Sequence, residues 1–252
     1  HIHMIGGVVH PQTKAAHRSH ARRYRYTWAI MAGITLVALL LAASGFFGTV
    51  SWMSLIAAIL ETTYRLIVAY LIALVIGVVI ALIVGWSPFI DFFFPVFDIL
   101  QNLPSFALFP LFIYFLGYTN QMIILFAVSS IVWPILFAVL TAIKSAHTDL
   151  SDAATIFGAR GLQRIRYYLA PLSFPAILTG SIVGIAIGWE SVIGAEIISN
   201  MPGFGAFIKN VDTAGISPTA IAGAFAILVI VFIINRLVWA PLLSESAKRY
   251  AE

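Results

Sequence analysis

The sequence predicts an all-α protein that crosses a bilayer about six times. Three observations carry this. Hydrophobic residues make up 61% of the 252 residues and charged residues only 10%, where a soluble domain carries about a quarter charged. Several apolar runs reach the ~20 residues that a membrane helix needs, and such continuous runs fit helices rather than alternating barrel strands. Lysine and arginine gather at the ends of these runs, as topology charge does, and not on one face as a nucleic-acid surface would.

The expected elements follow in order, with boundaries good to a few residues. The opening His1-Ile2-His3-Met4 reads as an expression-tag remnant, with Met4 as the native start. Five of the six histidines fall in the first twenty residues. There His17 and His20 fit either a metal pair on one helical face or a solvated tail. A basic tail, residues 1–25, precedes a first span from about Tyr26 to Phe46, kept as an uncleaved span although the tail and Ala42-Ala43-Ser44 imitate a signal peptide. The second span runs from about Ser54 to Trp86 and is long enough to tilt or project. The third, about Phe89 to Tyr118, is broken. Pro88, Pro95, Pro104 and Pro110 remove backbone donors, and Gln101-Asn102 sit beside Pro104. Spans four, five and six run from about Gln121 to Ile143, Leu172 to Ile198 and Thr219 to Leu243. Residues 26–243 thus form one transmembrane domain, with a polar segment at 144–171 and a tail at 244–252.

With the N-terminus inside, eleven of the fourteen lysines and arginines lie in the N-tail, the 144–171 segment or the C-tail. Both termini are then cytoplasmic. Only Lys209 falls in an exterior loop, while Arg65 and Arg236 lie within spans. The absence of cysteine excludes disulfides and thiolate chemistry.

Two spans carry small residues at every fourth position: Ala69, Ala73, Gly77, Ala81 and Gly85 in the second, and Gly180, Gly184 and Gly188 in the fifth. Such faces let helix backbones approach closely in lipid. Static packing and a sliding contact fit them equally.

The polar segment between spans four and five is the most informative part of the chain. Asp149 or Ser151 can cap a short helix, with Asp152 in its positive first turn. Ala153, Ala154 and Phe157 give it a compact apolar face, and Gly158 and Gly161 end or bend it ahead of Arg160, Arg164 and Arg166. This shape suits docking in a groove on a partner. The competing reading is a basic loop on anionic lipid.

The run Asp152-Ala153-Ala154, Gly158 and Pro171 resembles the EAA motif of ABC importer permeases, in which glycine follows after three residues and proline thirteen beyond it. Aspartate stands for the usual glutamate, keeping the charge with a shorter reach. Tyr168 and Ala170 stand where isoleucine and leucine are usual. Further elements resemble the nitrate/sulfonate/taurine/bicarbonate branch: Thr63-Tyr64-Arg65, Leu103-Pro104, Phe109-Pro110, Gly158-Ala159-Arg160-Gly161, Trp189 through Glu196, and Gly203-Phe204-Gly205.

The resemblance implies a type I importer permease (MetI-like) fold in a bacterial-type inner membrane, with ATP-driven import of a small solute. It also implies a second permease copy or homologue, two ABC ATPase subunits and an external solute-binding protein. Asp152, Ala153, Ala154, Phe157, Gly158, Arg160, Gly161 and Pro171 would then couple to the ATPases. The chain has no G-x-x-x-x-G-K-[ST] loop, so it is expected to hold no cofactor and to catalyse no reaction, ATP and magnesium belonging to the partner subunits.

Ionisable residues inside spans are costly and mark pathways or buried pairs. On that ground Arg65, Asp98, Gln101, Asn102, Glu190 and Glu196 are the pathway or gate candidates. Arg65 has Glu61 one turn away as a self-neutralising partner, and either Glu190 or Glu196 as a gate residue or a partner across the pathway. Asp98 fits either a polar path or a half-helix cap. The rival reading is an ion-coupled secondary transporter using Glu190 or Glu196.

Overall fold

The computed structural model describes residues 50–145, 170–211 and 218–250 and, before them, Gly33 alone. The helices below all belong to one compact unit, residues Ser51–Glu252. In chain order they are α1 (Trp52–Trp86), α2 (Ile90–Gln101), a 3₁₀ turn (Ser105–Leu108), α3 (Phe109–Leu116), α4 (Asn120–Ser145), α5 (Ala170–Ser199), α6 (Phe204–Val211), α7 (Pro218–Ile234), a π turn (Asn235–Trp239) and α8 (Ala240–Tyr250). Among the described residues four helices are long and apolar enough to cross a membrane, and α2 with α3 makes a fifth, bent by 80°. The expected first span and most of the 144–171 segment lie outside the described residues.

The second, fourth and fifth expected spans form α1, α4 and α5 within a few residues of their expected ends. The third breaks at Pro104, while Pro95, also expected to interrupt it, lies inside the continuous helix α2. Pro104 has φ −62° and ψ 112°, an extended conformation that ends the run of α2, and Pro110 opens α3, where its missing N–H costs nothing. The sixth differs from a simple span: α7 passes through a π turn into α8 and stays helical to Tyr250, beyond the expected end at Leu243. Trp239 of that turn is buried, edge-on to Tyr70 of α1 at 6.5 Å.

Helix α4 is the centre of the bundle. Its Ile123, Phe126, Ile131, Ile135 and Val139 are fully buried. The two small-residue stripes converge on it from opposite partners. A Cβ added at Gly77 of α1 would lie 3.2 Å from both Ile135 Cγ2 and the Val132 carbonyl. One added at Gly180 of α5 would lie 2.8 Å from Ile135 Cα and from the Pro134 carbonyl. Isoleucines of α4 thus fill the space that glycine and alanine leave on α1 and α5, close packing standing in for a hydrophobic drive that lipid does not supply. The far side of α1 carries exposed Leu60, Ile67, Leu71, Val75 and Ile83, as suits an apolar solvent.

The broken third span is pinned by aromatic rings. Phe106 of the 3₁₀ turn and Phe109 of α3 lie 5.1 and 4.9 Å from the ring of Phe126. Phe106 also fills the space beside Gly194, where a Cβ would come within 2.5 Å of its ring. At the opposite end of the bundle Lys144 Nζ meets Asp91 Oδ1 at 2.9 Å and lies over the Phe94 ring. This pair is exposed and contributes little stability.

Candidate functional site

The charged candidates separate into two groups. At one end of the bundle the start of α1, the start of α4, the end of α5 and the turn into α6 meet around a buried ion pair. Arg65 Nη1 lies 2.6 Å from Glu196 Oε1, with the two side chains 1% and 0% exposed. Arg65 engages four of the five donors of its planar fork. Nε donates to Asn120 Oδ1 at 2.7 Å, Nη2 donates to Glu61 Oε1 at 3.0 Å, and Nη1 also donates to the Pro202 carbonyl. Of the partners foreseen for Arg65, Glu61 and Glu196 are engaged at once, and Glu190 is not the one across the pathway.

Glu196 is equally enclosed. The Thr62 hydroxyl lies 2.8 and 2.9 Å from its two oxygens, and the Gly205 N–H donates to Oε2 at 2.9 Å. Thr62 in turn accepts from the Phe204 N–H at 2.8 Å. The Gly203-Phe204-Gly205 run is thus a cradle for a carboxylate. Gly203 has φ +148°, and a Cβ there would sit 2.3 Å from the Glu196 carboxyl carbon. A Cβ at Gly205 would meet the Ile193 carbonyl at 2.3 Å. Asn200, at φ 54°, makes the turn that returns the chain. Phe204 and Ala206 are buried, so the segment after α5 folds back into the bundle rather than skimming its end. A buried charge is tolerated when it is paired and hydrogen-bonded on every side, and this site meets that condition through four separate chain segments.

The second group surrounds the break in the third span. Gln101 Nε2 donates to Asp98 Oδ1 at 2.7 Å, and Asn102 Nδ2 donates to the Asp98 carbonyl at 2.5 Å. Asp98 and Asn102 are exposed at the end of α2. Gln101 alone of the three lines a cleft of about 420 Å³, with Ser105, Ser130, Trp133 and Thr179. A hollow of about 520 Å³ lies beside the ion pair, lined by Ser54, Glu61, Asn200, Phe207 and Asn210 among others.

Glu190 joins neither group. It is exposed on α5. Of the coupling candidates, Asp152, Ala153, Ala154, Phe157, Gly158, Arg160 and Gly161 lie outside the described residues, and Pro171 stands in the first turn of α5. Sequence reasoning did not single out Thr62 or Asn120. Thr62 precedes Arg65 by three positions and so shares its helix face, a signal that was present. For Asn120 no sequence signal pointed to Arg65.

Comparison with known proteins gives a consistent picture. Residues 73–239 match the family described as "Binding-protein-dependent transport system inner membrane component". The taurine transport system permease protein of Escherichia coli is 26% identical over 192 residues, 76% of this chain and 68% of that protein. The nitrate import permease protein of Leptolyngbya laminosa is 24% identical over 175 residues, 69% of this chain. That match spans 63% of the nitrate relative, less than two thirds of its length. The riboflavin transport system permease protein of Chloroflexus aurantiacus is 32% identical over 115 residues, 46% of this chain and 43% of that protein.

Proposed function

This chain belongs to the binding-protein-dependent transport system inner membrane component family, and on that premise we propose that it is the permease subunit of an ATP-driven importer, forming the path of a small solute through the membrane. The observation that carries the reading is the extent of the family match. It runs from the middle of α1 to the end of the π turn and takes in the whole 144–171 segment.

In this reading two cytoplasmic ATPase subunits bind the segment around Asp152, Ala153, Ala154, Phe157, Gly158, Arg160 and Gly161, with Pro171 leading into α5. A second permease, identical or homologous, completes the path, and an external binding protein delivers the solute. The chain itself holds no nucleotide; ATP and magnesium sit on the partners. Both termini face the cytoplasm, so the Arg65–Glu196 cluster lies toward the exterior. There it acts as a latch of the outer gate, tying α1, α4 and α5 to the turn before α6. The solute is a small sulfonate or oxyanion, on the grounds that the taurine and nitrate relatives match a larger share of the chain than the riboflavin relative does.

The test is purification of the tagged chain from its native membrane, followed by reconstitution. The expected result is copurified ATPase subunits and uptake that requires ATP and a binding protein. Uptake driven by an ion gradient without ATPase subunits would overturn the reading in favour of a secondary transporter, and so would location of residues 150–160 on the exterior face.

A further inference from the structure

The cleft at the break of the third span has a chemistry of its own. It is formed where the 3₁₀ turn, held by Phe106 and Phe109 on Phe126, keeps the chain from closing over α4 and α5. Ser130 on its wall is ten residues from the start of α4, about 15 Å along the axis, half the thickness of a hydrocarbon core. Thr179 faces it from the middle portion of α5.

At that depth polar groups are tolerated chiefly where they line water or protein. The wall nonetheless gathers the Ser105, Ser130 and Thr179 hydroxyls, the Gln101 amide and Trp133. One Gln101 N–H is committed to Asp98, which leaves the other for the cleft. The Thr179 hydroxyl donates to the Pro175 carbonyl at 3.1 Å, and that of Ser130 only weakly to the Phe126 carbonyl at 3.4 Å. Both can rotate toward a guest. Among the described residues no charged side chain lines the cleft.

We infer that this cleft is the mid-membrane contact site of the solute, and that it takes a small oxygen-rich anion through hydrogen-bond donors alone, without an ion pair. The inference deepens the permease reading and rests on it. Donors without a fixed cation stabilise an anion enough to wet the path and hold it too weakly to trap it, as conduction through a pore requires. Arg65 does not supply the missing charge, because it does not line the cleft and is already paired with Glu196 and Glu61.

The chain has no cysteine, so an introduced thiol is the only one on it, and labelling is read on this chain after it is separated from its partner subunits. The test uses the assembled, reconstituted transporter carrying Ser130→Cys or Thr179→Cys, with Val75→Cys on the exposed apolar side of α1 as the comparison. The probes are the anionic reagent 2-sulfonatoethyl methanethiosulfonate and its cationic trimethylammonium counterpart. A thiol must meet water to form its reactive thiolate, so both cleft positions should react more than about tenfold faster than Val75→Cys. The anionic reagent should be the faster of the two. Reaction at the Val75→Cys rate at both positions overturns the site, and faster reaction with the cation overturns its chemistry. ATP-dependent uptake by the unmodified protein is measured in parallel. Its absence would count against the permease reading, and its presence with unreactive cleft thiols would count against this site alone.

Discussion

Arg65 and Glu196, 131 residues apart in the chain, lie with Nη1 and Oε1 2.6 Å apart in the interior of the bundle. Around them Thr62, Asn120, Pro202 and Gly205 supply the remaining hydrogen bonds. The pair joins α1 to α5 and fixes the turn before α6 at the same time. Its energy lies less in the attraction itself than in the cost of leaving either charge alone. Removing one partner of a buried pair costs about 3–5 kcal/mol, whereas replacing both by apolar groups is often neutral. Arg65→Met and Glu196→Leu should each lower the unfolding midpoint in detergent sharply, and the double variant should recover most of the loss. Additive losses in the double-variant cycle would mean that the two side chains do not act as a pair.

The glycine before the cradle should be irreplaceable for a steric reason. At Gly203 the positive φ and the carboxyl group 2.3 Å from any Cβ act together. Gly117 also has a positive φ, +63°, but nothing lies within 4 Å of its Cβ position. Gly117→Ala should therefore cost only the backbone term, about 1–3 kcal/mol at φ 63° and ψ −167°, a region held almost exclusively by glycine. Gly203→Ala should cost clearly more and displace α6 from the bundle. Equal thermal shifts for the two variants would show that the Glu196 contact contributes nothing.

The close approach of α5 to α4 gives a third expectation. At Gly180 the obstacles are backbone atoms, Ile135 Cα and the Pro134 carbonyl, at 2.8 Å. At Gly85 the obstacles are side-chain atoms of Ile143, Cδ1 at 2.8 Å and Cγ2 at 2.9 Å. A side chain, even a β-branched one, gives way more readily than a backbone. Gly180→Ala should cost about 1–3 kcal/mol as overpacking, with Gly85→Ala costing less. Thermal unfolding of the two variants in one detergent decides the order.

Much of this fold was legible because a membrane span is written in composition. Apolar runs of the required length gave α1, α4 and α5, and Pro104 and Pro110 gave the break between α2 and α3. The scarcity of charge drew attention to Arg65 and Glu196, since so few ionisable residues stand inside spans. The rest of the site was not legible for physical reasons. Asn120 is a neutral residue at a helix start, where asparagine is common, and Thr62, one turn from Arg65 on the same helix face, is neutral and so was passed over when charge guided the search. Gly203 and Gly205 were visible as a motif, but only the folded chain puts a carboxylate where their side chains would be. The cleft draws Gln101, Ser105, Ser130 and Thr179 from separate elements, with no spacing to connect them. The π turn at Asn235–Trp239 left no mark on the apolar pattern, and its Trp239 lies edge-on to Tyr70, a contact between distant spans.

The coupling proposal makes the sharpest functional prediction. In the proposed coupling helix, docking by a compact apolar face needs small residues at the contact, and Ala154 and Gly158, four positions apart in the sequence, would supply them. Gly158→Trp and Ala154→Asp should leave the amount of inserted protein unchanged, because both positions lie outside the apolar spans. They should abolish solute-dependent stimulation of the ATPase and ATP-driven uptake together, by either losing the ATPase subunits or holding them in the wrong register. Arg65→Met, at the other end of the bundle, should instead leave the ATPase subunits bound while impairing uptake. Two measurements on each variant, copurified ATPase and uptake in reconstituted vesicles, separate the outcomes. Normal uptake in Gly158→Trp would remove the 144–171 segment from the mechanism, since a contact that tolerates an indole in place of a hydrogen transmits no force through that position.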